Sequence, residues 1–107
     1  MKKTLLFLPL YAGLLAFTPI MESPDVPADI QALFDKNGCA ACHNVSKKMV
    51  GPSWTDIAAK GYSKKKIGQL VAKPVPANWP GFVPMAAQKV PKAEMDKIAG
   101  WLVSIIN

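Results

Sequence analysis

The chain has 107 residues, enough for one small domain, and its 13 basic and 7 acidic side chains give a formal net charge of +6. All the basic residues are lysines, and they are scattered along the chain. Without arginine the chain lacks the side chain that reads bases and phosphates in a bidentate way, so we expect no nucleic-acid partner. The modest basic excess instead favours attraction to an acidic protein.

Residues 1–21 form a candidate targeting segment. Lys2 and Lys3 precede an apolar run from Thr4 to Phe17, which is the pattern of a secretory signal. Cleavage just before Pro19 would be unfavourable, so an uncleaved N-terminal anchor is the alternative. In both cases we expect residues 22–107 to form one exported domain located in the periplasm, with the membrane involved only through residues 1–21.

The next stretch predicts a short helix from Pro27 to Lys36. Ile30, Leu33 and Phe34 fall on one apolar face of that helix. Gly38 follows as a helix-ending residue, because glycine readily adopts the left-handed conformation that closes many helices. This helix would lead the chain directly into the motif that begins at residue 39.

That motif, Cys39-Ala40-Ala41-Cys42-His43, is the attachment signature of c-type haem. One turn puts both thiols on the same side of the backbone, where each can add to a vinyl group of the porphyrin, and the following imidazole can ligate the iron. A redox dithiol would need a βαβ context that is missing. A zinc site would need a second Cys/His pair, but the chain has only two cysteines and one histidine.

Two short helices are predicted after a loop at residues 44–53. Ser53 can cap a helix from Trp54 to Lys60, and Gly61 can end it. Ser63 can cap another helix that runs to about Lys73. The three lysines that begin this second helix are unfavourable there, because they lie at the positive end of the helix dipole.

The C-terminal third combines a proline-rich loop with the best-defined helix. Residues 73–84 contain four prolines, which predict a stiff loop without regular structure. A helix is predicted from Pro91 to Ile106, with Met95, Ile98 and Leu102 on its apolar stripe. No strand is convincing, so the predicted fold class is all-α, with four to five short helices and loops around one haem.

Met85 is the candidate for the second axial ligand of the iron. A thioether sulfur suits an electron carrier, because it binds in both oxidation states and raises the reduction potential. Met85 lies 42 residues after His43, at the end of the stiff loop. Met49 is too close to His43 in sequence to reach the other face, and Met95 is better explained as core packing. The predicted metal ligands are therefore His43 and Met85.

The sequence resembles the small bacterial class I c-type cytochromes over about residues 29–105. The matching motifs, in chain order, are Gly38 to His43, Lys48-Met49-Val50-Gly51-Pro52, Asp56 to Lys60, Pro84-Met85 and Trp101. The resemblance implies a single-haem, His/Met-ligated electron carrier, not an enzyme, that works as a monomer with redox proteins. Alternatives are a haem domain with an open sixth site, such as a peroxidase-like or gas-binding domain, and a haem subunit of a larger oxidase or reductase complex.

The resemblance also implies roles for residues around the haem. The first and last helices would cross near Phe34 and Trp101, and Trp101 is also explained as a core aromatic. Pro52 would pack beside His43, with a neighbouring backbone carbonyl accepting the Nδ1 proton. Trp79 would donate to a haem propionate, and Gln88 would lie where the family often has an asparagine near the ligand sulfur. The loop between Trp79 and Met85 looks one residue longer than in the nearest relatives.

The expected docking surface surrounds the exposed haem edge. Lysines border the two loops there, at Lys47, Lys48, Lys89 and Lys92. An apolar patch inside this ring would come from Met49, Val50, Phe82 and Val83. We expect such a ring to steer an acidic redox partner.

Overall fold

The computed structural model describes residues 23–106. Its four α-helices are α1 (Ala28–Lys36), α2 (Trp54–Ala59), α3 (Lys64–Ala72) and α4 (Lys92–Ser104), and two 3₁₀ turns lie at Cys39–Ala41 and Pro76–Asn78. No strand occurs in this part of the chain. The predicted all-α fold class is therefore confirmed. The candidate targeting segment, residues 1–21, lies outside the described residues.

Serine caps begin two of the helices and glycines follow the ends of two, at the positions predicted from the sequence. Ser53 Oγ accepts the amide of Asp56 at 3.1 Å, and Ser63 Oγ accepts the amide of Lys66 at 3.1 Å. Each bond satisfies a backbone donor that the first helical turn cannot pair internally. Gly38 and Gly61 adopt φ of 73° and 69°, so the chain turns away after α1 and α2 at residues that tolerate the left-handed region.

The prediction that residues 73–84 lack regular structure is wrong at Pro76–Asn78. Here the backbone makes a 3₁₀ turn, in which the amide of Asn78 donates to the carbonyl of Val75 and that of Trp79 donates to the carbonyl of Pro76, both at 3.0 Å. Proline fits the first position of such a turn, because its missing N–H is not required there and its fixed φ suits helical geometry. Pro76 thus favours this 3₁₀ turn and does not prevent it.

The core lies where α1 and α4 cross. Phe34 is fully buried and meets Trp101 edge to face, with ring centroids 5.8 Å apart. Burial of a side chain of this size stabilises the fold by about 1.5–3 kcal/mol. Ile30 and Leu102 are buried beside them. The assignment of Trp101 to the core is confirmed, and so is the expected approach of the first and last helices near Phe34.

A polar clamp joins the end of α1 to the start of α4. Lys36 Nζ and Asn37 Nδ2 donate to the two carboxylate oxygens of Glu94, at 2.9 and 3.2 Å. Asn37 Nδ2 also donates to the carbonyl of Leu33, which caps the last turn of α1. The clamp therefore fixes the point at which the chain leaves α1 for Cys39. Within residues 23–106, no helix combines the length and the apolar character that a membrane span requires.

Candidate functional site

The Cys39–Ala41 turn places both cysteines on the wall of one cavity. Gly38 ends α1, and the amides of Cys42 and His43 then both donate to the carbonyl of Cys39, at 3.2 and 3.1 Å. Both thiols are free and half-buried, and both face the cavity. Burial raises the pKa of the Cys39 thiol. The motif therefore presents two sulfur nucleophiles and one imidazole to the same space.

The His43 ring is held on two sides. Its Nδ1 lies 2.7 Å from the carbonyl oxygen of Pro52, and its ring stacks on Trp54 with centroids 4.5 Å apart. Since a carbonyl oxygen can only accept, Nδ1 carries the proton of the neutral ring, and the lone pair is left on Nε2. Burial lowers the pKa of His43, which favours that neutral form, while the Pro52 carbonyl acts in the opposite direction.

Gly51 lies directly against the His43 ring. Its amide donates to the carbonyl of Cys42 at 2.8 Å, which pulls the loop back under the imidazole. A Cβ at residue 51 would stand 2.6 Å from His43 Cε1 and 2.9 Å from Nδ1. No ordinary side chain has room there. Glycine is therefore required at this position by the close approach of the ring.

The cavity has a volume of about 390 Å³ and mostly apolar walls. Cys39, Cys42 and His43 line it together with Pro52, and the segment after α3 adds Trp79, Met85 and Gln88. Side chains from α3 and α4 complete the wall, namely the half-buried Leu70 and the buried Ile67, Met95, Ile98 and Leu102. The structure thus brings all seven of the predicted site residues to one cavity.

The predicted residues on the proline-loop side differ in how they are held. Met85 is 40 % exposed, whereas Met95 is 9 % exposed and packed in the core. The Gln88 amide donates to the carbonyl of Val71 at 3.0 Å, and its side chain donates to the carbonyl of Ala86 at 3.2 Å. The indole of Trp79 faces Phe82, with centroids 6.1 Å apart and nearly perpendicular planes. These contacts describe position, and the roles of Met85, Trp79 and Gln88 stay predictions.

The contacts of four residues that shape the site are not predicted from the sequence. Trp54 was assigned only to a helix start, yet it stacks on both His43 and Phe34, with the Phe34 centroid 4.3 Å away. Gly51 was seen only as part of a motif. Lys48 and Lys60 place their ammonium groups over Phe82 and Trp79, at 4.5 and 4.6 Å from the ring centroids. Spacing in the sequence gives no signal for such contacts between separate loops.

A cytochrome c family model matches residues 27–105, which include every residue placed around the cavity above. The chain belongs to the cytochrome c family. This cytochrome is 37 % identical to cytochrome c-551 of Allochromatium vinosum over 97 residues, which is 85 % of this chain and 100 % of that protein. It is 32 % identical to cytochrome c-551 of Stutzerimonas stutzeri over 108 residues, 98 % of this chain and 99 % of the relative.

The fold of this cytochrome also matches solved structures. Wild-type cytochrome c552 of Nitrosomonas europaea superimposes with a TM-score of 0.62 at 31 % identity, over 70 % of this chain and 98 % of that one. The small class I c-type cytochromes inferred from the motifs are therefore the correct family. As a member of this family, the cytochrome is a haem c electron carrier and not an enzyme, and it carries one covalently bound haem with its iron.

The donors around the cavity fit a haem c. Two thiols match the two covalent bonds that this cofactor makes, and the neutral imidazole has a free lone pair on Nε2 that would be available to iron. The largely apolar walls suit a porphyrin, and Met85 supplies a soft thioether from a second segment.

Proposed function

We propose that this cytochrome carries one electron at a time with a haem held by Cys39 and Cys42 and ligated by His43 and Met85. The observation that supports this proposal best is the joint placement of these four side chains on one cavity, with His43 held by the Pro52 carbonyl. When bound, the haem supplies an iron that gains and loses one electron. Pro52 and Trp54 keep the imidazole fixed, so that little rearrangement accompanies that change.

Met85 is preferred to the two other described methionines. Met95 also lines the cavity, but it is buried in α4 and packs near Gly68 of α3. Met49 is exposed and does not line the cavity. Met85 combines a cavity position with a backbone outside any helix. With Met85 as its ligand beside His43, the iron would have no open position for a substrate or a gas.

The test of the ligand assignment is the Met85→Ala variant of the haem-loaded protein. We expect it to lose the thioether-to-iron absorption band of the ferric form, to lower the reduction potential and to bind carbon monoxide readily when reduced. Met49→Ala and Met95→Ala are the controls and should keep the band. If the band survives in Met85→Ala and disappears in Met95→Ala, the ligand is Met95 and our assignment is wrong.

We further propose that this cytochrome works in the periplasm as a monomer and docks with acidic redox partners. Residues 1–21 support export, because two lysines precede their apolar run. The mass of the protein purified from the periplasm would show whether that segment has been removed. The exposed side chains of Met49, Val50 and Val83 support an apolar contact patch within the lysine ring.

A further inference from the structure

Two lysines and two aromatic rings form a continuous row beside residues 83–87, which we call the Met85 segment. Lys60 Nζ lies 4.6 Å from the Trp79 ring centroid, Trp79 meets Phe82 edge to face at 6.1 Å, and Lys48 Nζ lies 4.5 Å from the Phe82 centroid. Lys60 Nζ also donates to the carbonyl of Asn78 at 3.4 Å. We call these four residues the cation–aromatic row. It connects the end of α2 and the loop before Gly51 to the segment that leads to Met85.

The Met85 segment has few other attachments. Among the described hydrogen bonds between two backbone groups, none involves residues 83–87, and the carbonyl of Ala86 accepts from the nearby side chain of Gln88. On the C-terminal side, the first anchor is the amide of Gln88, which donates to the carbonyl of Val71. On the N-terminal side, the first anchor is Phe82, whose amide donates to the carbonyl of Trp79 at 3.3 Å and whose ring lies in the row. The segment is therefore held at its two ends.

We propose that the cation–aromatic row is the N-terminal anchor of the Met85 segment, and that Lys48 and Lys60 are positioning residues for the methionine. This inference rests on the proposed ligation by Met85. An ammonium group over an aromatic face is attracted by the negative potential of the ring. Both lysines approach from elements that also hold His43, since Lys48 precedes Gly51 on its loop and Lys60 follows α2, which begins at Trp54. The row thus ties the two ligand-bearing parts of the chain together.

Loss of either cation should let the Met85 segment open more often. Opening exposes the iron site to an added ligand, so the apparent affinity of the ferric protein for imidazole reports how often Met85 is away. We expect Lys48→Met and Lys60→Met each to raise that affinity about two- to fivefold, the effect of a partly exposed cation–aromatic contact. Methionine keeps the aliphatic stem of lysine and removes the charge. The measurement is made above pH 8, where imidazole is neutral.

Neighbouring lysines provide matched controls for the loss of charge alone. Lys47→Met and Lys65→Met remove the same charge from side chains for which the structure describes no ring contact in residues 23–106. Both controls should bind imidazole as the wild type does. Lys48→Arg should also behave as the wild type, because it restores a cation over Phe82. Equal effects of Lys47→Met and Lys48→Met would overturn the proposal.

A double-mutant cycle tests the contact itself. In a Phe82→Leu background, Lys48→Met should have no further effect on imidazole affinity, because the ring that it needs is gone. Global unfolding followed by far-UV circular dichroism separates positioning from general destabilisation. Lys48→Met should leave the unfolding midpoint close to that of the wild type while the imidazole affinity rises. If Lys48→Met and Phe82→Leu have additive effects while the wild type shows the thioether-to-iron band, the anchoring role of the cation–aromatic row is wrong but the ligation by Met85 is not. A band that survives Met85→Ala would overturn the ligation as well.

Discussion

At the scale of single residues, the orientation of the His43 imidazole depends on the absence of a side chain at Gly51. The ring of His43 occupies the space that a Cβ on Gly51 would need, while Pro52 and Trp54 hold its other sides. The backbone bond from Gly51 to Cys42 prevents the loop from moving away without cost. Residue 51 therefore fixes the His43 ring by leaving space for it and makes no chemical contribution of its own.

We expect Gly51→Ala to destabilise the haem-loaded protein by about 1–3 kcal/mol, because the new methyl group forces the imidazole or the loop to shift. Denaturant unfolding gives the free energy, and the visible spectrum shows whether the His43 bond to iron is perturbed. Gly68→Ala is the matched control, because its Cβ would meet only Met95 Cγ at an ordinary 3.5 Å. Within helix α3 that change should stabilise by about 0.5–1 kcal/mol. Similar losses in both variants would contradict the steric explanation.

At the scale of helices, the junction of α1 and α4 is held by a carboxylate as well as by the aromatic core. Hydrogen bonds from Lys36 and, to a smaller extent, Asn37 lower the pKa of Glu94 in the folded protein. A carboxyl group with a lower pKa in the folded chain than in the unfolded chain stabilises the fold above the unfolded value. That contribution is lost as the pH falls from about 4.5 through the folded value.

Glu94→Gln should therefore reduce stability near neutral pH and make it fall less steeply below about pH 4.5. Unfolding midpoints measured from pH 7 to pH 3 provide the comparison with the wild type. Asp96→Asn is the control, since it lies on the same helix and removes a more exposed pair with Lys92. A wild-type acid profile in Glu94→Gln would show that the clamp does not contribute to pH dependence.

Helices were predictable from sequence to within about two residues, because caps and apolar periodicity are local signals. The last helix was predicted from Pro91 to Ile106 and runs over Lys92–Ser104, and the cap at Ser53 is present. The 3₁₀ turn at Pro76–Asn78 is not predicted, since a high proline content favours loops over regular structure. The motif located His43 and both cysteines, but the stacking of Trp54 depends on how a distant loop folds back.

At the scale of the whole molecule, charge is unevenly distributed along the chain. Residues 57–93 contain seven lysines and no acidic residue, whereas the acidic side chains lie before residue 57 or at Glu94 and Asp96. The part of the chain that carries α3 and the Met85 segment is therefore strongly basic. Such asymmetry orients a charged molecule as it approaches an oppositely charged surface.

The docking hypothesis predicts that electron transfer to the natural partner slows steeply as ionic strength rises, because steering is screened beyond about 8 Å at physiological salt. Charge reversal at Lys47 or Lys89 should slow association further. Reversal at Lys97, on α4, should have little effect. Stopped-flow kinetics over a salt series make the comparison. Rates that do not depend on salt, or equal losses from all three reversals, would assign docking to the apolar patch alone.

The absence of backbone pairing in residues 83–87 also has an evolutionary consequence. Residues 83–87 make no hydrogen bond of a helix and contribute no buried side chain to the α1–α4 core, so we expect an insertion or a deletion there to leave the helices in place. The length of residues 83–87 can therefore change by single residues during evolution while the cytochrome still folds. With Met85 as the proposed iron ligand, such changes would alter the position of its sulfur atom, and so the energy of the transferred electron, while the helical core stays the same.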